Sequence, residues 1–199
     1  LVKRGDTVDV IALRQKGHDS RAVVSGVNVY KIQDRNINEK FKIEYLLKLL
    51  VFLVRSFLKI TSLHLKNRYD LIHVHSVPDF EVFAALGAKL TGAKVILDIH
   101  DIVPELFTGK FNTSQKSIYF RLLLLVERVS MAMADHVIVA NHIWHKRLIN
   151  RSVNAKKCTV VMNYPDPGIF NIKRPSKVSR DGLIMIYPGT LSIHQGLET

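Results

Sequence analysis

The strongest constraint on the fold is the alternation of short β-branched runs with longer segments of helical periodicity. Strands are predicted over Thr7–Leu13, Val27–Ile32, Asp70–His75, Lys94–Ile99, His136–Ala140 and Cys158–Met162. The second of these alternates in the way typical of a strand near a sheet edge. Helices are predicted over Phe41–Lys66, Asp79–Leu90, Ser117–Ala134 and His142–Asn150. Strands and helices in this order form βαβ units, so we expect an α/β fold in which helices cover both faces of a parallel sheet.

A change in composition divides the chain near residue 164. Residues 164–182 contain three of the six prolines and no periodic apolar pattern, which is typical of a linker. Leu183–Tyr187 then predicts a new buried strand. We therefore expect a nearly complete first domain over 1–163, an interdomain linker over 164–182 and the start of a second domain over 183–199. Leu1–Asp6 resembles the last turn of a helix, and we expect the chain to be truncated at both ends.

The chain is strongly basic, with 29 Lys and Arg residues against 17 Asp and Glu and a formal net charge of +12. This charge suggests an anionic partner: nucleic acid, an acidic membrane surface or a phosphorylated small molecule. Nucleic acid is disfavoured, because the basic residues are dispersed and most aromatic residues lie in apolar helical runs. The single cysteine, Cys158, excludes an internal disulfide and fits a reducing compartment, so we expect a cytoplasmic protein.

The first predicted helix carries its charges on one narrow stripe, formed by Glu44, Lys48, Arg55, Lys59 and Lys66. Nearly all its other residues are apolar, yet its uncharged runs are too short to span a bilayer. Two interpretations stay open. The helix is a core helix with one solvated face, in which Glu44 and Lys48 form a pair, or it lies on the anionic inner surface of a membrane.

Titratable side chains cluster at the ends of two predicted strands. His73 and His75 share one face of the first strand, and Asp98 and His100 share one face of the second. Ligands of open parallel sheets bind beyond the carboxyl ends of the strands, so these groups are expected to line a wet cleft. A metal site is one interpretation and hydrogen bonding to loop backbone is another, because these spacings alone are unspecific. The sequence contains no nucleophile elbow, dinucleotide-binding glycine motif or P-loop.

A glycine-containing turn near the end of the chain is a candidate anion site. Gly189-Thr190-Leu191 through Gln195-Gly196 follows the last predicted strand and precedes a predicted helix. Backbone N–H groups at such a turn and at a helix N-terminus bind phosphate. As a bare pattern, the turn is common in α/β proteins.

Taken in order, these segments resemble the family 4 retaining GT-B glycosyltransferases along almost the whole chain. Tyr69–Ser76 (YDLIHVHS) is similar to the family's strand YDVIHVHS, and Asp98–Glu105 is similar to its D-x-H-D-x-x-P-E segment. Leu1–Val10 resembles L-x-x-x-G-H-x-V, with Asp6 in place of the usual histidine. Ala134–Ala140 resembles ADxVIxVS, and Tyr187–Gly196 resembles the opening strand and loop of the family's C-terminal domain.

The resemblance implies two Rossmann-like domains, of which this chain holds the first, without its first strand, and the beginning of the second. It implies transfer of a sugar from a nucleotide-sugar donor to a glycan or lipid-linked acceptor, with retention and with no required metal or other cofactor. His100 matches the histidine that contacts the donor sugar, and Asp101 would orient its loop. His75 and Ser76 would face the acceptor.

The resemblance also places the donor diphosphate at the turn that contains Gly189 and Gly196. Many family members have an arginine and a lysine where this chain has Thr190 and Gln195. In this chain, backbone N–H groups would therefore have to donate more of the hydrogen bonds to the diphosphate. We expect the 199-residue chain to be inactive alone, because the family's acidic donor motif is expected after Thr199 and its glycine loop before Leu1.

Two other functions remain alternatives at the level of sequence. One is a nucleotide-sugar epimerase built on the same GT-B architecture, which would release a free epimer rather than a new glycosidic linkage. The other is a non-enzymatic basic α/β binding module, which would present a basic surface interleaved with exposed aromatic residues.

Overall fold

The computed structural model describes residues 1–35, 42–76, 78–111, 114–170, 182 and 186. The strands are β1 (Asp9–Arg14), β2 (Arg21–Val24), β3 (Val27–Asp34), β4 (Leu71–His75), β5 (Lys94–Ile99), β6 (His136–Val139) and β7 (Cys158–Val160). The α-helices are α1 (Lys42–Asn67), α2 (Leu86–Leu90), α3 (Val103–Phe111), α4 (Ile118–Met133) and α5 (His142–Arg151). Short 3₁₀ helices span Val2–Arg4, Asp79–Ala85 and Ala155–Lys157.

The described strands form two sheets, and the predicted α/β fold is confirmed. One sheet has the order β1-β3-β2, and the other is fully parallel with the order β4-β5-β6-β7. The expectation that the second predicted strand lies near an edge is wrong, because β3 lies between β1 and β2. It gains an antiparallel neighbour through a tight hairpin at Ser25 and Gly26, whose φ angles are 52° and 82°.

The two sheets are connected through the end of α1. The Tyr69 hydroxyl donates a hydrogen bond to the carboxylate of Asp9 at the start of β1, and the Asn67 amide donates to the same carboxylate at 3.3 Å. Burial and the hydrogen bond to Asp9 raise the pKa of Tyr69 to about 12, so the phenol keeps its donor proton at neutral pH. These contacts hold the first residue of β1 next to the segment that enters β4.

The main core lies on one face of the four-stranded sheet. Val95, Leu97 and Ile99 alternate along β5 and are at most 1% exposed. The 3₁₀ helix Asp79–Ala85, α4 and α5 supply Val82, Met131 and Leu148 to the same cluster. Period-2 alternation turns the remaining side chains of β4 and β5 to the opposite face. There Leu71, His73 and His75 are exposed.

The helix α1 packs against the Asp79–Ala85 segment and α2. Ser56 and His64 are buried on its inner face, and His64 Nε2 lies 2.8 Å from the Thr91 hydroxyl. The predicted pair of Glu44 and Lys48 is present at 2.5 Å. No helix among the described residues is both long enough and apolar enough to cross a bilayer.

Two segments differ in detail from the prediction. The expected single helix over Asp79–Leu90 is a 3₁₀ helix followed by α2. The segment after Asp101, for which no element was predicted, forms α3, with Pro104 in its first turn, where a missing N–H costs nothing. Most of the predicted linker and the strand of the predicted second domain lie outside the described residues.

Candidate active site

The site is built where β4 and β5 end side by side. Parallel pairing places His75 directly opposite Asp98, and the backbone N–H of Ser76 donates to the Asp98 carbonyl at 2.8 Å, which extends the pairing by one residue. This register brings His73, His75, Asp98 and His100 to the same face of the sheet. The expected clustering of these side chains is therefore present.

The Asp98 carboxylate is the centre of the cluster. Its Oδ2 lies 3.2 Å from His73 Nε2, 3.4 Å from His75 Nδ1 and 3.7 Å from His100 Nε2. His75 Nδ1 and His100 Nε2 are themselves 3.0 Å apart, so one ring can donate a hydrogen bond to the other. Asp98 is only 17% exposed, which strengthens its interactions with all three rings.

The three imidazole rings form a short stack across the two strands. The ring centres of His73 and His75 are 4.5 Å apart with an interplanar angle of 16°, and those of His75 and His100 are 5.3 Å apart with an angle of 26°. The stack is accessible, since the side chain of His75 is 61% exposed and that of His100 is 40% exposed. A ligand approaching this edge would meet imidazole nitrogens first.

The environment of His75 favours its neutral form. Burial lowers the pKa of His75, the nearby His73 and His100 lower it further, and the charge of Asp98 only partly opposes them. A neutral imidazole can both donate and accept a hydrogen bond, which suits it to the hydroxyl groups of a polar ligand.

The structure brings together two of the predicted site residues, His75 and His100, on the accessible face. Ser76 is 6% exposed, with its side chain in the interior rather than on the accessible face. Asp101 is half-buried in the turn between β5 and α3. The four residues predicted to bind the donor lie outside the described residues: Gly189, Thr190, Gln195 and Gly196.

Two residues of the cluster, His73 and Asp98, were not among the predicted site residues. The alternation of β5 places Asp98 on the same face as His100, but its central position follows only from the pairing of β4 with β5. Both had been expected to line the cleft, with hydrogen bonding to loop backbone as an open alternative, but neither was assigned a catalytic or binding role. The sequence indicated both residues through the alternation of polar and apolar side chains, which gives each strand one polar face.

A buried ion network holds the helix that follows the site. The guanidinium of Arg151 on α5 bonds to Glu105 on α3 and to Glu127 on α4, and the Ser152 hydroxyl also donates to Glu127. Burial alone would raise the pKa of Glu105, but its hydrogen bonds with Arg151 hold that pKa below the ordinary value. The network fixes α3 immediately after the turn that contains His100 and Asp101.

Two further carboxyl groups lie buried beneath the end of β4. Asp79 is 3% exposed and Glu81 is 7% exposed. Burial raises the pKa of Asp79 to about 6 and that of Glu81 to about 7. Neither carboxyl group is part of the accessible cluster. Both lie in the layer beneath the strand end and not on the surface that a ligand would contact.

A cleft of about 450 Å³ lies at the opposite, amino-terminal end of β4 and β5. Arg68, Asp70 and Lys94 are among the residues that line it. Ligands of open α/β sheets bind beyond the carboxyl ends of the strands, so the histidine cluster is the better candidate in spite of its shallower surface.

Comparison with known proteins bears on the family and fold of the chain. Residues 1–164 match the family model described as "Glycosyl transferase 4-like domain". No curated protein matches the sequence at a significant level.

Two solved structures of sucrose-phosphate synthase from Thermosynechococcus elongatus are similar in fold. One shares 16% identity and a TM-score of 0.63 and is aligned over 85% of this chain and 41% of its own. The other, a shorter chain, shares 14% identity and a TM-score of 0.57 over 82% of this chain and 79% of its own. This chain therefore spans less than half the length of the larger structure.

Proposed function

The chain belongs to the glycosyl transferase 4-like domain family of GT-B glycosyltransferases, and we propose that it supplies the acceptor-side domain of a hexosyltransferase. The enzyme transfers a sugar from a nucleotide-sugar donor to a cell-envelope or polysaccharide acceptor, with retention at the anomeric carbon. The observation that supports this proposal is the convergence of His75, Asp98 and His100 at the carboxyl edge of a parallel sheet.

In this proposal His100 hydrogen-bonds a hydroxyl of the donor sugar near the reacting carbon. Its Nε2 lies 3.0 Å from His75 Nδ1, and the sugar hydroxyl replaces His75 as the hydrogen-bond partner of that nitrogen. An imidazole held at this position stabilises charge that develops as the sugar–phosphate bond breaks. Asp101 orients the turn, and His75 lies toward the acceptor, whereas the buried Ser76 side chain supports the strand end from within.

The donor diphosphate binds at the turn formed by Gly189, Thr190, Gln195 and Gly196, largely through backbone N–H groups. Neutral side chains at 190 and 195 leave the diphosphate charge to be balanced by other groups. Transfer itself requires no metal ion in this scheme. The 199-residue chain alone is inactive, because the proposed donor contacts need a second domain.

The α1 surface supports a second element of the proposal, peripheral contact with an anionic membrane on its cytoplasmic face. Five exposed apolar residues follow one another at helical spacing along α1 and are 44–60% exposed: Leu47, Val51, Val54, Leu58 and Leu65. The cationic stripe lies next to them. Arg55 contacts the Ile32 carbonyl at 3.4 Å and remains exposed, and Lys59 lies 4.2 Å from the ring centre of Tyr30 and is half-buried. An apolar stripe beside cations is typical of an interfacial helix.

Product analysis with the complete enzyme that contains this chain tests the proposed reaction. A radiolabelled nucleotide sugar is incubated with an extracted envelope acceptor, and the products are separated and their linkage determined. A new glycosidic bond of the donor's own anomeric configuration supports the proposal. Release of a free epimer favours the GT-B epimerase, and no turnover with any nucleotide sugar favours a binding module.

A further inference from the structure

The histidine cluster presents imidazole nitrogens and a carboxylate oxygen at short mutual distances. His73 Nε2, His75 Nδ1 and Asp98 Oδ2 all lie within 4.8 Å of one another on two neighbouring strands. We propose that these three side chains bind one divalent transition-metal ion of the zinc class. This binding is separate from sugar transfer, which needs no metal in the scheme above.

The distances fit tetrahedral coordination. Zinc binds histidine nitrogen and carboxylate oxygen at about 2.0–2.1 Å, so neighbouring ligand atoms around a tetrahedral ion are about 3.3–3.4 Å apart. Asp98 Oδ2 lies 3.2 Å from His73 Nε2 and 3.4 Å from His75 Nδ1. These two distances need little change when an ion binds, but the stacked rings of His73 and His75 must rotate so that both nitrogen lone pairs point at the ion.

His100 offers a further ligand atom close to two of the other three. His100 Nε2 is 3.0 Å from His75 Nδ1 and 3.7 Å from Asp98 Oδ2. One distance is shorter and the other longer than the separation of about 3.3–3.4 Å expected between ligand atoms of a tetrahedral zinc ion. The ligand set is then three imidazoles and one carboxylate. Nitrogen-rich sets of this kind select zinc, cobalt, nickel or copper and reject magnesium and calcium, which prefer oxygen ligands.

The ligands are carried by rigid elements rather than by loops. His73 and His75 are two residues apart on β4, and Asp98 lies on β5 opposite His75. Their positions are fixed by the parallel ladder and by the buried core on the other face of β5. Binding therefore requires little ordering of the chain, which favours affinity.

Metal binding would compete with sugar transfer, a consequence that rests on the proposed function. An ion held by His75, Asp98 and His100 would take the same nitrogen lone pairs that the proposed reaction needs for hydrogen bonds. The metal-bound form would thus be an inhibited state of the enzyme.

Cobalt titration tests the site without any activity assay. The protein, purified without a histidine tag, is titrated with Co²⁺ at pH 7.5, and the visible d–d absorption of the ion is recorded. We expect saturation at one Co²⁺ per chain with the intense bands of a tetrahedral complex, displacement by Zn²⁺, and no displacement by excess Mg²⁺.

Variants identify the ligands. His73→Asn, on an exposed strand position, should lower Co²⁺ affinity by at least about 10-fold, and Asp98→Asn should do the same. His18→Asn, at an exposed histidine after β1, should leave the affinity unchanged, and circular dichroism confirms that each variant is folded. Absence of tetrahedral bands, or equal affinity in wild type and His73→Asn, would overturn the metal site. If the complete enzyme does not transfer a sugar, the cobalt spectra are unaffected. Failure of the proposed function and failure of the metal site are therefore distinguishable.

Discussion

Arg151 on α5 donates two hydrogen bonds to Glu105 on α3, at 2.5 Å and 2.9 Å from its two carboxylate oxygens. The same guanidinium bonds to Glu127 on α4, which is only 1% exposed. One side chain therefore ties together three helices that meet behind the candidate site. Because α3 begins at Val103, this clamp also fixes the end of the turn that carries His100 and Asp101.

Removing the clamp should strongly destabilise the domain. We expect Arg151→Met to lower the free energy of unfolding by about 3–5 kcal/mol, since it leaves the buried carboxylate of Glu127 without its counter-ion. Urea unfolding monitored by circular dichroism measures the change. The matched control is Arg147→Met, whose side chain is 48% exposed and contacts Glu105 at 3.1 Å. It should cost no more than about 1 kcal/mol. Equal effects of the two variants would contradict the buried clamp.

The buried carboxyl of Glu81 should make stability depend on pH. Because burial raises the pKa of Glu81 from 4.5 to about 7, the folded state binds its proton more tightly than the unfolded state. The stability that this tighter proton binding gives the folded state is fully present below about pH 4.5. It is lost as the pH rises toward 7 and above, because the buried carboxyl then ionises. Glu81→Gln removes the titration, so the variant should gain about 1–3 kcal/mol relative to wild type between pH 5 and pH 8.

Unfolding in urea at several pH values measures this gain. Glu44→Gln, at an exposed residue of α1, serves as the control and should follow the wild-type pH profile. Parallel profiles for Glu81→Gln and wild type would show that the Glu81 carboxyl is not desolvated.

Close packing between α1 and α2 depends on Gly87. A Cβ at this position would lie 2.5 Å from Thr61 Oγ1 and 3.2 Å from its Cγ2, so the helices would have to separate. We expect Gly87→Ala to cost about 1–3 kcal/mol in a thermal or urea unfolding experiment. Gly109→Ala on α3, where the new methyl group meets open space, should instead stabilise by about 0.5–1 kcal/mol. Adding Thr61→Ala to Gly87→Ala should restore part of the loss, and failure to do so would contradict the contact.

Membrane contact through α1 predicts a specific dependence on lipid charge and on apolar residues. The protein should co-sediment with vesicles that contain anionic lipid and be released by high salt. Leu58→Gln, at a residue 60% exposed on α1, should weaken binding several-fold. Ile143→Gln, at a residue 74% exposed on α5, should leave it unchanged. Equal binding to neutral vesicles at all salt concentrations would exclude the electrostatic interaction.

The sequence predicted the parts of the fold that depend on local patterns. The limits of β5 agree fully with the predicted run of apolar and β-branched residues, and α1 and α4 agree within one residue at each end. The hairpin that contains β2 was missed, although Ser25-Gly26 is a two-residue turn of the type that joins antiparallel strands. The helix α3 was not predicted, although Pro104 lies in its first turn, where proline is common.

The candidate site was predicted less completely, because its decisive contacts join residues distant in sequence. Alternation along each strand placed His75 and His100 on polar faces. Only the parallel register of β4 and β5 brings their nitrogens to 3.0 Å and sets Asp98 beside both of them and beside His73. The clamp of Arg151 with Glu105 joins residues 46 positions apart. Nothing in the local sequence of either residue distinguishes them from ordinary surface charges.

The transfer rate of a His100 variant of the complete enzyme tests the central claim most directly. His100→Ala should lower kcat by about 10²–10³-fold with a KM within a few-fold of wild type, because the lost hydrogen bond acts mainly in the transition state. The control His142→Ala, at an exposed residue of α5, should retain the wild-type rate. A kcat for His100→Ala within twofold of wild type would contradict the assignment of this cluster as the place where the sugar reacts.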